Sequence, residues 1–416
     1  MALLHADGLA LLLVSFTTVV VAASALYGFH YFRETDDTPR RLHLLWPLLA
    51  LLWLSLCTLW LSRHLLLLYA ALEVVGLCAV ALMSLPGTDK SRKAGKRYLI
   101  CTLCGSAALI VGLGLVHSLY GSFDLHLLAD IAPARSHTAL ALALLSGGLM
   151  LKVAVFPMHG WLPPAHGAAW VPVSAVHAAL VIKAGFFVML RFWNALLPDA
   201  VLAAQFLGAL GALAIIWGSL LAWRQSEFKS VVAYSTVAQI GYLLLLFPLI
   251  TGTSERVATL AWESTWLLVV SHALAKAAAF MSAGNLVLTM GRGDLAGLPG
   301  VGRQVPLSLL VFGLASLTLM GLPPSGGFVA KYMLLQAAMI SGQWQWALVV
   351  ALGSLLSAAY VFRVFRYCFL EAESQEGSYT PPLSLDLIPL ALAIAATAMG
   401  LFAGWPLALL QWEGPA

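Results

Sequence analysis

Charge is what this sequence has least of. Only 10% of its 416 residues are Asp, Glu, Lys or Arg, while 61% are hydrophobic. Soluble domains run near 25% charged. That scarcity excludes an ordinary water-soluble globule, and the chain offers no basic surface for nucleic acid. Long polar stretches are also missing. The longest polar connections, about residues 30–42, 121–137 and 366–383, are too short to hold a folded domain with its own core. Cysteines are few: Cys57, Cys78, Cys101, Cys104 and Cys368, all in or beside apolar runs. Cys101 and Cys104 form one CxxC with no second pair, so all five read as small buried hydrophobes, not a metal or redox site. No His-Glu-x-x-His or similar ligand spacing occurs. Nor is there a motif for a flavin, haem or iron–sulfur cluster, so neither a metal nor a cofactor is expected. The N-terminus lacks the basic region and small-residue end of a cleaved signal, so the first apolar run reads as a permanent span.

What is present is a recurring apolar stretch of about 20 residues, the signal of a membrane helix. Twelve spans are read: 8–29, 43–62, 65–86, 98–120, 138–157, 172–193, 202–223, 230–250, 262–289, 305–340, 344–365 and 384–410. The expected fold is an all-α polytopic membrane protein forming one membrane domain over residues 1–416.

Basic loop residues give the orientation by the positive-inside rule. With the N-terminus outside, fourteen fall on inside loops: Arg33, Arg40, Arg41, Lys90, Arg92, Lys93, Lys96, Arg97, Arg224, Lys229, Arg292, Arg303, Arg363 and Arg366. Four fall outside: Arg63, Arg135, Arg191 and Arg256. Twelve spans return the C-terminus to the outside, and a bacterial-type inner membrane is expected.

That census leaves four of the 22 basic residues, Lys152, Lys183, Lys276 and Lys331, all at membrane depth. One acidic residue, Glu73, is clearly at such depth. A charge at the bilayer centre costs about 2.5–3.5 kcal/mol on insertion scales. Desolvation lowers a lysine pKa and raises that of a glutamate. A lysine tuned in this way can exchange protons near neutral pH, whereas arginine cannot. All four deep cations are lysine, so titration is favoured over fixed charge. Snorkelling to an interface is the alternative for Lys152 and Lys331. Lys183, mid-span, has no such escape.

His177 shares a span with Lys183, and His272 with Lys276. His272 and Lys276 are four apart, on one helix face. His177 and Lys183 are six apart and do not stack. Histidine suits a proton relay, though a lone intramembrane histidine can also hydrogen-bond a neighbouring helix. His159 and His166 fall in a re-entrant or interfacial stretch.

That stretch is "SGGLMLKVAVFPMHGWLPPAH", residues 146–166. Pro157 breaks the span, and Pro163 and Pro164 are read as preventing its continuation. A second break, "LMGLPPSGGFVAKYMLL", carries Pro323 and Pro324 with Lys331 beside them. Broken membrane helices mark ion sites. The breaks lie five spans apart, and lysine precedes the prolines in one and follows them in the other. That is the pattern of two inverted five-helix repeats, 43–193 and 202–365, with 8–29 as a leading helix and 384–410 as a trailing helix.

These segments resemble the antiporter-like subunits of respiratory complex I and their relatives in Mrp-type sodium/proton antiporters and energy-converting hydrogenases. The resemblance covers nearly the whole chain. "ALEVVGLCAVALM" is similar to the family's glutamate helix, and "LKVAVFPMHGWLPPAHGAAWVPVSAVHAALVIKAG" to its first broken helix and the helix after it. "EFKSVVAYSTVAQIGYLLL" looks like a family signature containing Lys229. "SHALAKAAAFMSAGNLV" and "GLPPSGGFVAKYMLL" resemble its central helix and second broken helix. The resemblance implies a mid-membrane proton relay. In it, Glu73 couples to Lys152, His177 and Lys183 follow, His272 and Lys276 pass protons between halves, and Lys331 exchanges with the opposite side. It also implies that the chain begins at the family's third helix and lacks the lateral amphipathic helix of the largest complex I member.

The function expected is therefore that of a proton-translocating subunit in a multisubunit complex within the lipid bilayer. Its partners would be other membrane subunits and a soluble catalytic subunit. The alternatives are a secondary Mrp-type Na+/H+ antiporter subunit and an ion-driven membrane partner in inorganic-carbon uptake. A purely structural scaffold leaves four deep lysines unexplained.

Overall fold

The computed structural model describes residues 4–35, 41–131, 139–197, 199–371 and 379–411. Arg40 and Arg135 of the charge census lie outside the described residues. Among these residues ten helices are long and apolar enough to cross a membrane, and three shorter apolar helices accompany them. Two crossings are in pieces: Pro306–Met320 with Gly326–Ile340, and Leu383–Ala398 with Gly404–Leu410. With them the count of twelve spans holds. No strand occurs among the described residues, which show only isolated bridges such as Leu4 with Ser62.

Helix starts follow from ordinary caps. Asp7 accepts from the Ala10 amide at the head of Gly8–Tyr31, Thr88 from Ser91 at the head of Asp89–Tyr120, and Ser325 from Phe328 at the head of Gly326–Ile340. Each satisfies an amide that the first turn leaves without a partner. Outward faces carry exposed Leu, Phe and Trp along most spans, as expected where the surroundings are lipid, not water.

In each five-span array every helix packs on the next. The arrays meet where Val171–Leu196 lies against the 36-residue helix Glu255–Met290. The latter is about 54 Å long at the α-helical rise, and its apolar window is wholly buried. Close crossings depend on glycine. A Cβ on Gly211 would lie 2.6 Å from the carbonyl oxygen of Gly241 on the next helix, and one on Gly241 would press on Gly211 in return. Small residues at such a crossing let two backbones touch.

The loops assigned to one side of the membrane are joined to one another. Lys90 pairs with Glu227 at 3.0 Å, Glu227 bridges to Asp294, and the Lys229 ammonium donates to the Ala169 carbonyl at 2.6 Å. At the other end Asp7 accepts from Arg63 at 3.1 Å and Arg191 at 3.4 Å.

Two expectations need correction. Pro163 and Pro164 do not stop a helix. They stand in the first turn of the short helix Leu162–Ala168, where a missing amide costs nothing and a fixed φ helps. Cys101 is only half-buried and Cys104 is exposed, although Cys57, Cys78 and Cys368 are buried. The two face outward because they lie on the lipid side of Asp89–Tyr120. A buried carboxylate also stands apart from Glu73. Asp386 is buried in the first turn of Leu383–Ala398, accepting from Asn285 at 2.9 Å and from the Ser308 hydroxyl. Tyr27 donates to Asn285 at 2.8 Å and completes this brace between four helices.

Two outcomes are expected. Gly211→Ala should destabilise the fold by about 1–3 kcal/mol through overpacking, read as a lower midpoint in thermal unfolding in detergent. Burial alone would raise the Asp7 carboxyl, but the Ala10 amide and the Arg191 and Arg63 guanidinium groups outweigh it and hold its pKa below the usual 3.8. A depressed carboxylate contributes stability that is present above its unfolded pKa and lost as pH falls through its folded one. Asp7→Asn should therefore lower the unfolding midpoint at pH 7, and the gap from wild type should close as pH drops below about 4.

Candidate functional site: a buried line of lysines and histidines

The first broken helix, Ala139–Val153, ends in a C-terminal turn of the Schellman type. The Val155 amide donates back to Met150 at 3.0 Å, and Ala154 adopts a left-handed φ of 58°. Ala154 is the only non-glycine residue with positive φ among those described. The second broken helix ends the same way. The Leu322 amide donates to Leu317 at 2.9 Å around Gly321 at φ 79°. Both therefore stop by closing their own last carbonyls.

Lys152 stands just before the first turn. Its ammonium lies 2.9 Å from Glu73 Oε1 and donates to the Ser106 hydroxyl at 2.9 Å. Ser106 donates to the other carboxylate oxygen at 2.5 Å, so it bridges the pair. The lysine stem runs over Gly105, where a Cβ would come within 3.1 Å of it. The stem does not snorkel: the Lys152 side chain is 6% exposed and that of Glu73 19%.

Beyond Lys152 a cavity of about 10 Å³, the size of one water, is lined by Lys152, Thr102, Tyr98 and Gly185. On its far wall the Tyr98 hydroxyl and His177 Nε2 are 2.9 Å apart. Trp161 stacks on Tyr98 at 4.0 Å and donates to the Leu151 carbonyl, which locks the break against this wall. The His166 ring sits 4.9 Å from His177 and stacks on Phe280 of the long central helix.

His177 begins a π-helical turn, His177–Val181. Such turns loosen the ladder and are frequent at functional sites. Lys183, fully buried, donates to the Ala178 carbonyl inside it. On the central helix Lys276 donates to the Val232 carbonyl at 2.8 Å and to the Ser235 hydroxyl. His272, one turn away, is buried and lies within electrostatic reach of Lys183, Lys276 and Lys331.

Lys331 follows the second break and reaches back across it. It donates to the Leu319 and Met320 carbonyls at 2.9 and 3.3 Å, and Gln239 shares Leu319. A cation at a helix C-terminus is favoured by the helix dipole. Its ammonium lies 4.3 Å from the Tyr242 ring centroid. It too is buried and not snorkelling.

Of the seven expected relay residues, the structure pairs Glu73 with Lys152 and places His177, Lys183, His272 and Lys276 on the helices where the two arrays meet, with Lys331 buried behind the second break. Pro157, Pro323 and Pro324 lie at the two breaks. Four contributors escaped the sequence: Tyr98, Ser106, His166 and Ser235. His166 was read as part of a re-entrant or interfacial stretch but is wholly buried. The first-turn placement of Pro163 and Pro164 was the signal that could have placed it. Tyr98, Ser106 and Ser235 carry no spacing signal.

A polytopic helical bundle with two broken helices and four buried lysines defines the class. The family NADH:quinone oxidoreductase/Mrp antiporter, TM, matches residues 62–357, and the chain belongs to that family. It is 33% identical over 355 residues to the NADH-quinone oxidoreductase subunit N of Desulforudis audaxviator, covering 80% of this chain and 69% of that one. Two solved structures share its fold. A chain of the Mrp complex from Dietzia sp. aligns with a TM-score of 0.88 at 23% identity, over 97% of this chain and 82% of that one. A chain of respiratory complex I from Thermus thermophilus aligns at 0.78 and 26% identity, over 100% and 88%.

Ser106→Ala removes the hydroxyl between Glu73 and Lys152 without opening a large void. Ion movement in reconstituted vesicles should slow by up to about tenfold, the worth of one or two hydrogen bonds, with the unfolding midpoint little changed.

Proposed function

We propose that the chain is a proton-translocating membrane subunit of a multisubunit complex, working beside other membrane subunits and a soluble catalytic subunit. It would sit in a bacterial-type inner membrane with both termini outside. The repeats would run 43–193 and 202–365, between the leading helix 8–29 and the trailing helix 384–410. Its chemistry is proton transfer and electrostatics, carried by side chains alone.

The observation that carries this reading is the Glu73–Lys152 contact at 2.9 Å, placed at one end of a buried basic series. Opposite charges in a water-poor interior favour each other's ionised form. If Glu73 is drawn away or neutralised, Lys152 loses its counter-charge and releases its proton. The proton then passes through the small cavity to Tyr98 and His177. From there it moves past Lys183 to His272 and Lys276, and Lys331 exchanges it with the opposite side. Such neighbours titrate together, so a change at one is felt at the next. Support for a hydrated line comes from His177 Nδ1, His272 Nε2, Gln239 Oε1 and both His166 nitrogens, which are buried and bond to no protein group. Buried polar atoms are satisfied by water where protein does not serve.

A second reading, favoured by the likeness to the Mrp complex chain, is a gradient-driven Na+/H+ antiporter subunit on the same relay. One preparation addresses both: the complex isolated with its native partners in mild detergent and reconstituted with a pH-sensitive dye inside vesicles. Lys152→Ala and Lys276→Met should each cut proton movement at least about a hundredfold, as for loss of a proton-transfer group, while the assembled complex keeps its size. Normal pumping in both variants would sink the relay. Proton movement that requires an imposed Na+ gradient would select the second reading.

A further inference from the structure

At the end of the bundle that holds Lys90, Glu227 and Asp294, a cavity of about 550 Å³ opens between the helices Val201–Arg224 and Trp344–Cys368. Trp223, Phe362, Arg363, Arg366, Tyr367 and Leu370 line it. Arg363 is anchored there. It donates to the carbonyls of Trp223 and of Gln225, the latter at 2.9 Å, at the terminus of the first helix. Its guanidinium lies 5.9 Å from the Tyr367 ring centroid. Arg366, one turn further on, is exposed. Neither arginine forms an ion pair among the described residues. The pairs at this end use other charges: Lys90 with Glu227, Arg292 with Asp294, and Arg303 with Glu371. Two guanidinium groups therefore line one cavity with no carboxylate paired to them among the described residues.

The apolar surface around it is ordered too. Leu213, Trp217, Leu220 and Trp223 are exposed on one helix, and Leu348, Leu352, Leu355 and Phe362 on the other. Spacings of three, four and seven put each set on one helix face. Both stripes run from the basic cavity into membrane depth. A soluble anion would use the arginines and leave the stripes idle.

We propose that this cavity binds the phosphodiester headgroup of an anionic phospholipid, with the acyl chains lying along the two stripes. The planar fork of arginine matches phosphate oxygens. Trp and Tyr settle at headgroup level. Basic pockets between membrane helices at that level suit anionic headgroups. The proposal needs the chain to span a membrane but not the lysine relay, so either can fail without the other.

The test uses the full chain, purified in mild detergent, stripped of lipid and titrated by native mass spectrometry. The probes are phosphatidylglycerol, phosphatidylcholine and inorganic phosphate. Phosphatidylglycerol should bind and phosphatidylcholine should not, and millimolar phosphate should fail to displace the lipid. Arg366→Gln, at an arginine with no hydrogen bond or ion pair among the described residues, should weaken phosphatidylglycerol about fivefold, the worth of one basic residue near a charged surface. Arg363→Gln should weaken it further, and Arg92→Gln, at an arginine paired with Asp89, should leave it unchanged. Equal binding of the two lipids, displacement by free phosphate, or an Arg366→Gln protein that holds phosphatidylglycerol like wild type would each overturn the proposal. So would an Arg366→Gln variant that loses a partner subunit while keeping its lipid, because the cavity would then belong to an acidic protein surface.

Discussion

An ammonium group taken out of water has to be given something in return, and much of this fold is arranged around that requirement. Four lysines lie within the bundle, and among the described residues only Lys152 has a carboxylate beside it. The others are held by oxygen dipoles: Ala178 for Lys183, Val232 and Ser235 for Lys276, Leu319 and Met320 for Lys331. Dipoles solvate a cation less completely than a counter-ion does.

Helix irregularities supply two of these sets of dipoles. A regular helix commits its carbonyls to its own ladder, yet a second lone pair stays open, and Val232 within Phe228–Leu244 gives its own to Lys276. The second break frees Leu319 and Met320, and the π-helical turn at His177–Val181 makes the Ala178 carbonyl available. The π-helical turn and the second break therefore each sit where a lysine finds an acceptor, whereas at the first break Lys152 turns to Glu73 and Ser106. Backbone left unsatisfied in a membrane is tolerated only inside protein, and here the break and its lysine satisfy one another.

The two breaks share a turn but not a partner. Lys152 looks sideways to Glu73 on another helix, and Lys331 looks back to its own broken span. Glu73, the partner of the first lysine, is partly exposed at the flank of the bundle. The second lysine is enclosed. The Asp386–Asn285–Tyr27 brace lies apart from this series, its carboxylate fixed by neutral donors.

The order of the apolar helices, the positions of both breaks and the burial of Lys152, Lys183, Lys276 and Lys331 were legible in the amino-acid sequence. The reason is energetic: charge and proline in apolar runs cost so much that their presence points to a use. Cheap residues carry no such mark. A serine, a tyrosine or a histidine next to a loop is equally at home on a helix surface, so Ser106, Tyr98 and His166 gained their places only when five or more helices closed around them. Asp386 was hidden because a carboxylate near a span end looks solvated until Asn285 and Ser308 arrive from other helices. The sequence by itself determined which groups would be expensive to bury. Tertiary packing alone decided what each would face, because partners such as Glu73 and Lys152, 79 residues apart in the chain, meet only through the crossing of helices.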